Sequence, residues 1–515
     1  MTGQSTSATT VDFREIQGIV RFGYGRLTEA VFLLLNIRDI AAAKKWLASA
    51  PVSNAVALEA APVTALQVAF TSHGLQQLGV PEELWNGFSI EFRAGISAEP
   101  GRSRLLGDVA DNAPQSWAWG GPGYEPHMIA MMYAQPGHLD AWMRSLQGEL
   151  WESAFVTLAS LPTSDMGGRE PFGFADGVSQ PTLDWDGLKQ PRTMETTYSN
   201  VSCLGEFLLG YPNEYARYTE RPLLKDSALG SSLLPPAFDA TGTRDFGKNG
   251  SYLVVRTLEQ DVPGFWKFAQ KTVQGDAAAL DAFASAMVGR TCDGTPLAEI
   301  QANSIPGVPA SEATRNQFTF DKDPQATRCP FGAHIRRANP RNADLPTPPA
   351  HGLQKILQFF GLGDHTLQSD AKAATRFHRI LRRGREYGAP LSIEDALRNQ
   401  QDTGPRGIQF MCLVANISRQ FEFLQGAWMM NSKFDAMTDE SDPLLGNRQP
   451  VSAAVTDTFS RPHASGICHR VADVPPFVTV KGGAYFFLPS ISAIRYLASL
   501  KTVNDRDQTG WDLSV

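Results

Sequence analysis

Ala30-Val31-Phe32-Leu33-Leu34-Leu35-Asn36-Ile37 is a short apolar run rich in strand formers, and the alanine-rich stretch Ala41–Ala48 directly after it reads as a helix. The same strand-then-helix pattern returns at Met128–Ala134 followed, after Pro136-Gly137, by Leu139–Leu146. It comes twice more. Tyr252–Thr257 leads into Val262–Ala269, and Ile408–Ala415 leads into Arg419–Trp428.

Four such units at wide spacing, with other short strands between them, predict an α+β fold of two ferredoxin-like halves, each an antiparallel sheet covered by helices on one side. Internal identity between the units is weak and no fixed period is visible, so the chain is not read as a repeat. The expected division is residues 1–200 for the N-terminal half and 201–515 for the C-terminal half. Two stretches read as loops or insertions: Ser164–Glu195, rich in Gly, Pro and Asp, and Arg341–Ala371, which contains PTPPAHG.

The 515 residues suffice for a sizeable core, and 42% hydrophobic with 19% charged residues is an ordinary globular composition. A formal net charge of −7, without a Lys/Arg run long enough to track a phosphate backbone, argues against nucleic acid as a partner. The five cysteines (Cys203, Cys292, Cys329, Cys412, Cys468) show no C-x-x-C spacing, and their odd number argues against a complete disulfide framework. A reducing cytoplasm is expected. The start from Met1 to Asp12 is polar and has neither a twin arginine nor an apolar stretch, so no export signal is read there. No apolar run reaches the roughly 18–20 residues needed to cross a bilayer, so no membrane partner is expected.

Three segments carry side chains suited to chemistry. Pro171–Pro181 (PFGFADGVSQP) sets one carboxylate, Asp176, among glycines and phenylalanines, where an apolar setting favours acid/base work; the bland alternative is an aspartate capping a turn. Cys329–Arg341 (CPFGAHIRRANPR) offers His334 after two small residues and before a basic stretch. A neutral imidazole is a strong axial ligand for haem iron, and arginines such as Arg336 could neutralise haem propionates, although a lone histidine can equally be a buried hydrogen-bonding residue. Phe377–Gly388 (FHRILRRGREYG) brings a cluster of guanidinium groups beside apolar residues, or else forms a solvated face.

Taken together and in this order, GFADG, CPFGAHIRRANPR and ILRRG resemble the three signature segments of dye-decolourising peroxidases. Likeness extends to IQGIVRFGYGRL and AVFLLLNI at the start, to GIQFMCLVANISRQFEFLQGAW, and to FVTVKGGAYFFLPSISA, so it covers nearly the whole chain. The span from His334 to Arg382 is longer than in the short bacterial forms, which places the chain among the longer, insertion-bearing members.

The resemblance implies one haem b, with its single iron, in the C-terminal half. It implies His334 on the iron, and Asp176 and Arg382 on the peroxide side. Ferric haem would take hydrogen peroxide; Asp176 would move one proton between the peroxide oxygens, Arg382 would stabilise developing negative charge, and a ferryl intermediate would result. Phenols and dyes would return the two electrons, bulky ones through surface Trp or Tyr residues. A distal aspartate implies an acidic optimum. The family commonly backs its histidine with a carboxylate, for which Glu422 is the first candidate and Asp395 the second. His378 is the rival for the iron on residue type.

Outside redox enzymology the alternative is a haem carrier, which needs neither Asp176 nor Arg382. A chlorite-dismutase-like enzyme would share the architecture, but the GFADG carboxylate favours a peroxidase. A Ser/His/Asp hydrolase lacks a G-x-S-x-G elbow. The sequence leaves a homo-oligomer open, along with any docking role for the C-terminal DRDQTGWDLSV.

Overall fold

The computed structural model describes residues 11–189, 198–299, 315–341, 375–398, 404–449, 455–463 and 465–501. The Arg341–Ala371 insertion beyond Arg341 and the C-terminal DRDQTGWDLSV lie outside these residues.

The run quoted above forms β1 (Glu29–Ile37), and α1 (Ile40–Ser49) follows, started by Asp39, whose carboxylate accepts the Ala42 N–H at 2.7 Å. Next come β2 (Thr64–Phe70), β3 (Met128–Ala134), α2 (Leu139–Leu146) and β4 (Phe155–Pro162). These four strands pair antiparallel in the order β4-β1-β3-β2.

A second quartet is built the same way. It starts with β5 (Ser251–Gln260) and α3 (Val262–Thr272), where Asp261 caps the first turn and Pro263 fits a position with no N–H to satisfy. It continues through α4 (Ala277–Val288), α5 (His334–Ala338), β6 (Leu381–Arg382), β7 (Arg385–Tyr387), β8 (Gly407–Val414), β9 (Val478–Leu488) and α6 (Ile491–Ser499). Its order is β6-β8-β5-β9, with β7 also pairing β8, and along the sheet it repeats the order β2-β3-β1-β4 of the first. The two quartets join at β9 and β2 through the pair Phe487 and Phe70, giving one nine-stranded sheet.

Alternate residues of the strands go to two cores. Leu33, Leu35, Val68, Val254 and Phe487 face the helices, against Trp46 of α1, Phe265 of α3 and Leu497 of α6. Phe32, Leu34, Ile129, Leu253 and Phe486 face the other way, against Ile19, Leu27, Phe207 and Tyr211 from irregular segments. Burial on both faces is why these strands read as continuous apolar runs and not as alternating ones. The expected helical layer therefore covers one face, and loop segments seal the other.

Residues Arg419–Trp428, expected as a helix, wind as wide π-type turns over Ser418–Glu422 and Leu424–Met429. Among the described residues no helix is long and apolar enough to cross a membrane.

Phe487 sits at the seam between the quartets, fully buried and within ring-contact distance of Phe88, Phe92, Phe246 and Tyr252. Phe487→Ala is expected to cost about 3–5 kcal/mol. A lowered thermal midpoint in calorimetry checks this, and an unchanged midpoint contradicts it.

Candidate functional site

Between β4 and β5 the chain makes a compact loop, with Gly173 at φ +100° and Gly177 at φ +72°, conformations that a side chain would strain. Glycine on either side of Asp176 thus lets the backbone fold back twice in a few residues. The loop is fastened by the Asp176 N–H to Gly168 O (3.0 Å), by the Ala175 N–H to Cys292 O (3.0 Å), and by Arg169, which donates to Gly173 O and Cys292 O.

The Asp176 carboxylate accepts from Arg382 Nη1 at 2.7 Å. Arg382 comes from β6, where it pairs with Cys412 of β8, and its own N–H is held by Gln180 Oε1 at 3.0 Å. Both side chains keep about a third of their surface free (29% and 33%) although they lie deep in the fold, because they border one cavity. Burial pushes the Asp176 carboxyl up, but Arg382, the Gly177 N–H and the field of His334 outweigh it and hold it below the usual carboxylate range.

His334 opens α5 and lines the same cavity. Its Nδ1 donates to Asp442 Oδ2 at 3.0 Å, and Asp442 is completely buried. The Asp442 Oδ1 also accepts the Leu444 and Leu445 N–H groups at 2.9 and 2.8 Å, so the carboxylate is rigidly oriented. Burial works against a charged ring at His334, yet the Asp442 carboxylate prevails and raises its proton affinity. The imidazole is thereby fixed with Nε2 as its remaining donor atom, the arrangement that strengthens a metal-binding histidine.

Glu422 does not hold this position. Its Oε1 accepts from Arg102 Nε at 2.8 Å and from the Tyr485 hydroxyl at 2.9 Å, so the π-type segment turns it away from His334. Asp395 lies at the exposed start of a short helix, bonded to Ser392. The carboxylate on His334 is Asp442, whose sequence signal, Ser441-Asp442-Pro443, reads only as a turn.

Arg336 is also turned away from the cavity. Its guanidinium donates to Cys329 O at 2.9 Å, lies near Asp323 and stacks over Phe320 and Phe331, because the short helix α5 sends successive side chains in different directions. Arg290, Arg341 and Arg379 border the cavity instead. Arg290 donates to Gly294 O, Arg341 to Asn316 O and Phe318 O, and Arg379 to Ser199 O and Val201 O. Among the described residues none of the three makes an ion pair with a carboxylate. Burial and repulsion from Arg341 and Arg382 lower Arg290 to about 9, the mark of a wall with excess positive charge.

His378 lines the cavity too, its ring stacked on Phe423 at 3.7 Å and its Nδ1 bonded to Arg419 O. A neutral carbonyl supports it less than Asp442 supports His334, and burial lowers its proton affinity. The remaining wall is apolar, with Leu258, Phe410, Phe421, Leu424, Val478 and Val480.

Volume alone would choose another place, a groove of about 1510 Å³ against about 270 Å³ for the cavity. Several charged groups of that groove already have partners, as Arg419 has in Glu206 and Asp239 in Arg221. The cavity is where an imidazole, a carboxylate–guanidinium pair and uncompensated cations converge.

No protein-family profile matches the chain. The chain is similar to the dye-decolorizing peroxidase msp1 of Mycetinis scorodonius, 28% identical over 96% of this chain and 89% of that protein. It is likewise similar to the multifunctional dye peroxidase DyP2 of an Amycolatopsis strain, 28% identical over 84% and 82%. Among solved structures it resembles a decolorizing peroxidase from Auricularia auricula-judae, with a TM-score of 0.71, 26% identity, and coverage of 95% of this chain and 100% of the other.

Arg382 opposes the effect of burial on Asp176, so Arg382→Ala is expected to raise the pH at which Asp176 takes a proton. In the intact pair the depressed Asp176 value adds stability above the ordinary carboxylate range, and this is lost as pH falls through that depressed value. Infrared titration of the carboxylic C=O band, with Asp176→Asn subtracted, checks the shift. A band that titrates at the same pH in both proteins contradicts it.

Proposed function

We infer that this chain, a member of the dye-decolourising peroxidase family, reduces hydrogen peroxide to water at a haem b carried by His334 and oxidises phenolic and dye-type donors. The observation that carries this reading is the cavity in which an imidazole backed by a buried carboxylate shares its walls with the Asp176–Arg382 pair.

The residues present fit a haem. An apolar wall suits a flat macrocycle, and His334 Nε2 would hold its iron. The unpaired cations Arg290, Arg341 and Arg379 suit two propionates, because buried guanidinium groups without carboxylates are costly until an anion arrives. When bound, haem supplies the redox centre that holds the two oxidising equivalents of peroxide.

Asp176 takes a proton from one peroxide oxygen and returns it to the other, which leaves as water. Arg382 stabilises the negative charge that develops as the O–O bond lengthens. Its charge also keeps Asp176 ionised and ready as a base at acidic pH. Asp442 locks the His334 ring and strengthens its donor atom. Two one-electron transfers from donors complete the cycle.

Electronic spectra of the wild type, His334→Ala and Asp176→Asn, before and after one equivalent of hydrogen peroxide, test these assignments. The wild type is expected to show a Soret band that changes with peroxide, and His334→Ala to lose it. Asp176→Asn is expected to keep the band but to respond about 10²–10⁴-fold more slowly. Best turnover is expected below pH 7. Normal haem ligation in His334→Ala would move the ligand to His378, and haem-loaded wild type that ignores peroxide would favour a carrier.

Bulky dyes that cannot enter the cavity require a route from the surface. Tyr215 is 43% exposed and stacks on Phe377 at 4.1 Å, and Phe377 adjoins His378 on the cavity wall. Tyr215→Ser is expected to slow oxidation of a bulky anthraquinone dye several-fold while leaving a small phenol unchanged. Equal losses on both donors would remove Tyr215 from the route.

A further inference from the structure

Glu170 is a cavity-lining carboxylate with no part in the steps above. Its Oε1 accepts the Phe174 N–H at 3.0 Å, and its Oε2 accepts the Phe172 N–H at 3.0 Å and Gln260 Nε2 at 2.8 Å. The Glu170 N–H donates back to Phe174 O, and Gly173 N–H to Glu170 O. One side chain thus folds residues 170–174 around itself and ties them to Gln260, the last residue of β5, immediately before Asp176. Phe172 and Phe174 pack on Phe265 and Trp266 of α3, and Trp266 Nε1 donates to Phe172 O.

Two features set Glu170 apart from an ordinary structural carboxylate. Among the described residues it makes no ion pair, and its hydrogen-bond partners are dipoles alone. Its partner Gln260 also keeps a buried Oε1 with no hydrogen-bond partner. Half a turn of that amide would present Oε1 to a protonated Glu170, so one pair of side chains serves both charge states.

We propose that Glu170 is a second proton-holding carboxylate of the cavity, and that as a positioning residue it sets the alkaline limit of the Asp176 proton shuttle. Protonated, Glu170 leaves Asp176 as the lone anion of the loop, beside Arg382. Ionised, it places a second negative charge near Asp176, which then releases a proton to the departing oxygen less readily. The groups whose charges reach Glu170 are Asp176 from its own loop, His334 from α5 and Cys292 from the segment after α4; α3 contributes apolar rings. Burial, first, and the field of Asp176 push Glu170 up to about 7 against its three hydrogen bonds, so the change of charge falls near neutrality.

The inference rests on the peroxidase reading, and two measurements separate the failures. In the first, the infrared C=O band of the protein is titrated from pH 4 to 9 in wild type and Glu170→Gln. A component of the band that titrates near neutrality in the wild type and is lost in the variant is expected; a band undiminished in the variant overturns the proposal. In the second, the reaction of the haem-loaded proteins with hydrogen peroxide is followed by stopped flow over the same range. The two rates should agree within about twofold at pH 5, whereas above pH 8 the wild type should fall at least five-fold below Glu170→Gln. An alkaline fall that persists in Glu170→Gln overturns the control while leaving the peroxidase standing; a wild type inert to peroxide overturns both. Should Glu170→Gln not fold, Gln260→Leu removes the donor to the ionised carboxylate and should move the inflection to higher pH. An inflection that does not move overturns the proposal.

Discussion

The sheet is apolar on both faces, and everything else in the molecule answers to that. Strands such as β1 and β3 can be buried twice over only if helices cover one face and long irregular segments cover the other. Covering both faces leaves the loops between elements to form the site. Asp176 enters from the connection between the quartets, His334 from the segment after α4, and Asp442 from the stretch before β9. Only Arg382 stands on a strand, and its register with Cys412 gives the group of loops a fixed reference.

Charge is handled differently on the two sides of the cavity. Where Asp176 meets Arg382, and where His334 meets Asp442, each buried charge has a partner and the pair is oriented by backbone N–H groups. Along the wall formed by Arg290, Arg341 and Arg379, cations are held by carbonyl oxygens. Such a wall is tolerable when a ligand brings the missing negative charge. Glu170 is the complementary case: a carboxylate held by dipoles, and therefore sensitive to its proton.

Much of this was legible in the residues. The apolar runs and their alanine-rich or aromatic successors located the principal strands and helices, and two of the segments, Met128–Ala134 and Leu139–Leu146, match their elements residue for residue. The ordered segments around Asp176, His334 and Arg382 pointed to the side chains that line one cavity. Glu422 and Arg336 suit the expected roles by type and by motif, and neither property fixes where a side chain points.

By itself, then, the sequence determined the alternation of strand and helix, because hydrophobic periodicity is local, and it determined the reactive segments, because their residue types are carried within a few positions. Tertiary structure decided which groups meet. The partner of His334 is 108 residues away and that of Asp176 is 206 residues away. At such separations no local preference selects among the many carboxylates and arginines of the chain. The choice is made by the packing of loops over a doubly buried sheet, where each polar group must find a partner within hydrogen-bonding distance.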